Sequence, residues 1–254
     1  LDVLKEATMN LKPLLLLLLA VPAFCADPVS DLRGTLERFK GLEAVKGRVD
    51  LQSWTKSGEG KKLKERQSSG QVQVEDGPQG LRLGWTAQQI QAARKDALAK
   101  AANPEAATPN LESLRALDVA DASRMLSYAD HLGLLLHGAV LLEDRPDTYQ
   151  GKPARLLVLK PEVRFSVEDK DVLKSFEASL KVWVGPDGVP VGLEEVTSFK
   201  GSKFLITFKG SHSESTSLGR AGTRLVALRS TKETTGSGLG MSSQGKVVAS
   251  LTLY

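Results

Sequence analysis

The chain has one cysteine, Cys25, and three histidines in 254 residues. A lone cysteine excludes an internal disulfide and a thiolate metal centre. The histidines do not replace it. His131 and His137 are six apart on a predicted helix, which sets them on different faces, whereas two ligands share a face at a spacing of three or four. His212 stands in a Ser/Thr-rich stretch. The G-x-S-x-G turn of a serine nucleophile is missing. Ser211-His212-Ser213-Glu214 holds triad residue types, but neighbours on a strand face opposite ways and do not form a relay. Glu194-Glu195 fails as a carboxylate pair for the same reason. The glycine-rich stretch Gly236 to Gly240 lacks the Lys-Ser/Thr ending of a phosphate loop and reads as a flexible connection. The sequence therefore gives no catalytic residue, no metal site and no cofactor, and the chain is read as non-enzymatic.

Charge of one sign is also thin. The net charge is +4, with acids and bases interspersed. That excludes the concentrated basic patch a nucleic acid requires. The densest run, from Lys61 to Arg66, reads as a solvated hairpin tip. A mild basic excess fits weak attraction to anionic headgroups, which makes the protein peripheral to a membrane at most. The apolar run from Leu14 to Val21 is too short for a span. It follows Lys12, and small residues stand at its end and beyond, at Ala20, Ala23 and Ala26, the pattern of a secretory signal peptide over about residues 9–25. Met9 is the expected initiator, and cleavage after Ala23 or after Cys25 fits the small residues. Phe24 and Pro22 depart from the small residues that precede a lipidated cysteine, so a lipid anchor on Cys25 is the lesser option. The expected location is the periplasm or beyond.

The remaining chain, 26–254, reads as a single α+β domain. Its clearest stretch runs from Phe176 to Lys209. Phe176, Ala178, Leu180, Val182 and Val184 alternate with polar residues at the period of a strand. Gly185-Pro186-Asp187-Gly188 is a strong reversal, and Gly201-Ser202 is a weaker one. Before it, Ser30 to Leu42 reads as an amphipathic helix capped by Ser30, with Leu32, Leu36, Phe39 and Leu42 on one face. Strands are predicted over 45–54, 64–74 and 80–85, the last with Leu81, Leu83 and Trp85 on one face. A helical insertion spans about 86–138. Thr86-x-x-Gln89 is a capping box ahead of Ile90, Ala93, Ala97 and Ala101, and residues 103–110 form a loop. A long helix is predicted from Val119 to His137. Strands resume at 139–144 and 154–160 around a loop at 145–152, and at 213–217, 224–231 and 246–253 after the central meander.

This order of elements resembles the periplasmic outer-membrane lipoprotein-carrier superfamily. The likeness is carried by the short first helix, a first strand with Val45-Lys-Gly47-x-Val49, a helical insertion, and a second meander with Leu-x-Val-Trp183-Val and an Asp187-Gly188-x-Pro190 turn. The resemblance implies a curved, half-barrel-like antiparallel sheet covered on one face by helices. It implies a lipid or lipoprotein as partner, with the acyl chain held in an apolar cavity between sheet and helices. The contact candidates are the bulky apolar residues Leu83, Trp85, Leu132, Leu136, Phe204, Ile206 and Phe208. The alternative is a non-catalytic envelope protein that uses its sheet as an interaction scaffold.

Overall fold

Asp27 starts the first helix of the computed structural model, which describes residues 27–60, 62–163, 165–166, 171–204 and 206–254. Met9, the apolar run and Cys25 lie outside the described residues. Asp27, not Ser30, is the N-cap of α1 (Pro28–Arg38): its side chain accepts from the Val29 amide at 3.1 Å. Pro28 occupies the position where a missing N–H is harmless. The helix stops at Arg38, so Leu42 stands 81% exposed rather than on the buried face.

The sheet is α1's partner in the core. Its strands are β1 (Val45–Glu59), β2 (Lys62–Asp76), β3 (Arg82–Gly84), β4 (Val140–Tyr149), β5 (Lys152–Lys160), β6 (Leu173–Val184), β7 (Pro190–Lys203), β8 (Ile206–Ala221), β9 (Arg224–Gly238) and β10 (Met241–Leu253). They form one antiparallel sheet of ten strands in the order β3-β2-β1-β10-β9-β8-β7-β6-β5-β4, not closed into a barrel. Between β3 and β4 lie α2 (Ala87–Ala102), α3 (Pro109–Arg115), α4 (Val119–Leu126) and α5 (Tyr128–Leu135). The chain thus leaves the sheet at one edge and re-enters at the other. α1, α4 and α5 bury their apolar residues against the sheet, with Leu32, Leu36, Leu126, Leu132 and Leu136 meeting Val49, Leu180, Val182, Leu193 and Leu225 in one core. The α+β class, the antiparallel sheet and the alternation of β6 agree with the sequence pattern.

Five local expectations are corrected. The helix over 119–137 is two helices broken at Ser127, whose φ is −142°. The break lets the neighbours Leu126 and Tyr128 both be buried, which one straight helix would not allow. Residues 145–152 are not a loop, because β4 and β5 pair from Val140/Lys160 to Tyr149/Lys152 around Gln150-Gly151. Pro146 is tolerated because β4 is an edge strand. Gly201-Ser202 lies within β7, which runs on to Lys203, and 206–221 is one strand where two were expected. Gly236 and Gly238 belong to β9, and the turn there is Leu239-Gly240, with φ values of 53° and 76°. Pro109 opens α3 instead of ending a loop, and α3's first free amides at Asn110 and Leu111 donate to Asp96 of α2 at 2.7 and 3.1 Å.

The capping box of α2 forms as expected, with the Gln89 amide donating to Thr86 Oγ1 at 3.2 Å and the Thr86 amide to Gln89 Oε1 at 2.8 Å. Its apolar face is weaker than the spacing suggested. Ala93 is its one buried residue, and Ile90 is exposed. No helix among the described residues is long and apolar enough to cross a membrane.

These assignments separate core from cover. Leu180→Ala should destabilise the protein by about 2–5 kcal/mol in urea unfolding, because Leu180 is fully buried in β6 within the core. Thr86→Ala should cost about 1 kcal/mol. A larger loss from Thr86→Ala than from Leu180→Ala would refute the assignment of the core.

Candidate functional site

The strand registers place three zones in sequence along the inner, helix-facing side of the sheet. Cα partners share a face, so the rows can be followed across strands. Near the helices the rows are apolar: Val182 faces Leu193, and Leu251 faces Val49. The middle zone is charged. The outer zone lies beyond α4 and α5 and is made of aromatics over glycine.

The middle zone binds the helices to the sheet. Arg124 of α4 reaches Glu214 of β8 at 2.9 Å and Asp121 at 2.9 Å, and Lys232 of β9 reaches Asp121 at 2.6 Å. Ser230 Oγ donates to the second oxygen of Glu214 at 2.8 Å. Tyr128 of α5 donates to Thr216 Oγ1 at 3.2 Å. Glu214 is 3% exposed, so its charge is stabilised by these partners and not by water. Burial alone would lower the Arg124 pKa, but Glu214 and then Asp121 outweigh it and leave the guanidinium above its ordinary value.

Two groups at this zone are held against their charged forms. His131 packs its ring edge-on against Tyr128 at 5.2 Å, and its buried Nε2 has no hydrogen-bond partner among the described residues. Burial, and next the positive charge of Arg124, lower its pKa to about 4. Glu195 is the cross-strand partner of Glu214. Burial first, then repulsion by Glu214, raises its pKa. Sequence reasoning set Glu195 aside because Glu194 points away. Its actual neighbour is across the sheet, which only the register reveals. No cluster of metal-ligating side chains occurs among the described residues.

The outer zone is built on glycine. A Cβ on Gly201 would fall 2.3 Å from the Phe208 ring, and one on Gly210 would fall 2.6 Å from the Phe199 ring. Each phenyl ring therefore occupies the space that its cross-strand neighbour leaves open, and the two rings lie 6.3 Å apart. Any side chain at Gly201 or Gly210 would displace them. Phe199, Ile206, Phe208, Leu239 and Met241 line a groove of about 670 Å³ with Gly236, Gly238 and small hydroxyl residues. Beneath the helices the space is far smaller. The void by Met125, Tyr128, Glu214 and Ala249 measures about 20 Å³.

The expected contact residues do not form one surface. Leu132 and Leu136 are fully buried core. Leu83 and Trp85 are half-buried against the same core. Ile206 and Phe208 line the outer groove, and Phe204 stands at the tip of the hairpin beside it. Phe199, Leu239 and Met241 are additional groove residues. The alternation of β7 could have suggested Phe199, whereas Leu239 and Met241 were concealed in an apparent glycine loop.

The chain matches no known family model, and its sequence matches no curated protein. Function has to be read from this geometry.

His131 gives the zone a pH signature. Its folded pKa lies below the ordinary 6.5, so its contribution to stability is complete above about pH 6.5 and is lost as pH falls towards 4. The loss is at most about 3 kcal/mol. His131→Phe, which keeps the ring and removes the titration, should flatten the melting temperature between those values. An unchanged pH profile in that variant would show that His131 is not the group responsible.

Proposed function

We propose that the protein is an exported, non-catalytic binding or carrier protein of the bacterial envelope. It holds the acyl chain of a lipid or lipoprotein against the inner face of a curved, half-barrel-like sheet. The reading rests chiefly on one observation: a groove of about 670 Å³, lined by Phe199, Ile206, Phe208, Leu239 and Met241, on the half of the sheet that the helices leave bare. Its volume falls in the range of small-molecule sites, and it is open to solvent along its length. A row of unpartnered aromatic and aliphatic side chains gains free energy when an apolar chain removes it from water. The likeness in element order to the lipoprotein carriers supplies the class of cargo.

The bound chain lies in the outer zone, not beneath α4 and α5, where about 20 Å³ is open. Phe204, Ile206 and Phe208 stay in the contact set, joined by Phe199, Leu239 and Met241. Leu132 and Leu136 form the packed support behind it. The scaffold alternative is weaker on the observed edge. β4 exposes Val140 and Leu142, but it also carries Pro146 and the charged run Glu143-Asp144-Arg145, residues that discourage pairing with another strand.

Titration with a fluorescent fatty acid, in the absence of vesicles, tests the reading. Phe208→Asp should weaken binding at least about tenfold, since a charge would enter the groove. Leu132→Ala should lower stability by about 2–5 kcal/mol and leave affinity nearly unchanged. Thermal melts of both variants separate misfolding from lost contact. Full affinity in a folded Phe208→Asp protein would eliminate the groove as the acyl site.

A further inference from the structure

Two hairpins end side by side at the outer end of the sheet, and both present a bulky apolar residue in a backbone conformation suited to glycine. Phe204 has φ 55° in the β7–β8 turn, and Leu239 has φ 53° in the β9–β10 turn. Side chains rarely adopt the left-handed region because Cβ crowds the carbonyl. Gln150, the other such residue among those described, donates from Nε2 to Ser217 Oγ at 3.0 Å and so has a local reason for its place. At Leu239-Gly240 the tight hairpin turn itself imposes the positive φ, but nothing in the chain calls for a bulky apolar side chain at Phe204 or Leu239, which are 85% and 63% exposed. Met241, beside Leu239, is 55% exposed.

The charges around these tips are mostly basic. Lys200 and Lys209 are direct cross-strand partners on the outer side of β7 and β8. Like charges placed opposite each other repel. Neither forms an ion pair among the described residues, and Lys174 lines the same hollow, with Leu239, Met241 and the Ser237 and Ser242 hydroxyls. Lys203 and Lys62 are exposed at the adjoining turns. The acids described at this end are Glu59, next to Gly240, Glu177 on β6 and the exposed Asp171 just ahead of β6, against the lysines Lys62, Lys174, Lys200, Lys203 and Lys209. Apolar tips ringed by unpaired lysines match the two layers of an anionic bilayer surface: hydrocarbon for Phe204 and Leu239, phosphate for the ammonium groups.

We infer that the β7–β8 and β9–β10 hairpin tips dock the protein on an anionic lipid surface, with Phe204 and Leu239 inserted at the interface and Lys174, Lys200 and Lys209 against the headgroup phosphates. The inference rests on the tips and their charges, and holds whether or not the neighbouring groove carries an acyl chain.

Co-sedimentation with vesicles tests it directly. The protein should bind phosphatidylglycerol–phosphatidylcholine vesicles, release them at high salt, and bind phosphatidylcholine alone much more weakly. Lys200→Gln/Lys209→Gln should lower affinity for the anionic vesicles by roughly tenfold or more. Phe204→Ser/Leu239→Ser should also weaken vesicle binding; because Leu239 also lines the groove, fatty-acid affinity is read on the unaltered protein. Equal binding to both vesicle types, or full binding by either double variant, would overturn the inference. So would displacement by inorganic phosphate at constant ionic strength, which would mark a site for a soluble anion. Vesicle binding with no fatty-acid binding would remove the acyl-groove reading and leave this one standing.

Discussion

A connection that leaves one edge of a ten-stranded sheet and re-enters at the other must cross a face of that sheet. At about 4.8 Å per strand the path is roughly 43 Å along the sheet. The link between β3 and β4 makes this crossing as four helices, and α1 joins them. Everything else follows from where the helices land. They cover the end of the inner face that holds Val49, Leu180, Val182 and Leu193, and that half becomes solid core. The strands run on past them. The uncovered half keeps the same alternation, but its inward side chains find no helix to meet.

The landing point is set by charge. Apolar contact between helices and a sheet is non-directional and would tolerate a shift along the strands. An ion pair between Arg124 and Glu214, completed by Ser230, Asp121 and Lys232, does not. Breaking a buried pair leaves a charge without solvent or partner, which costs about 3–5 kcal/mol. The pair therefore acts as a register pin for α4 on β8. His131 and Glu195 show the same low-dielectric surroundings from the other side: burial first, and then a neighbouring charge of the same sign, disfavours the charged form of each. The charged zone is thus the border between a closed half and an open one, and it belongs to the architecture more than to any chemistry.

Much of this was legible in the residues. The alternation of β6, the Asp187-Gly188 reversal and the Thr86/Gln89 capping box are local patterns, and local patterns survive into the fold. The errors at the outer end of the sheet share a cause. Gly201, Gly236 and Gly238 read in sequence as turn or loop residues, yet Gly201 is a strand position vacated for the Phe208 ring and the other two line the groove beside it. A glycine that makes room for a cross-strand aromatic looks the same in sequence as one that turns the chain. The β4–β5 pairing is hidden for a different reason: Pro146 and Gly151 read as turn residues, whereas the edge position of β4 accommodates the proline. The contact between Glu195 and Glu214, and the division of the apolar residues into core and groove, depend on register and on the helical crossing, neither of which any local window contains.

The central claim is that the sheet has a closed half and a receptive half, divided at the Arg124–Glu214 pair. A crystal structure with a brominated fatty acid tests it most directly, because bromine marks the chain by its anomalous signal. The account predicts bromine over the Phe199–Phe208 rows, with α4 and α5 still seated on β8 and β9. Bromine beneath α4 and α5, among Leu132 and Leu136 with the ion pair broken, would contradict it.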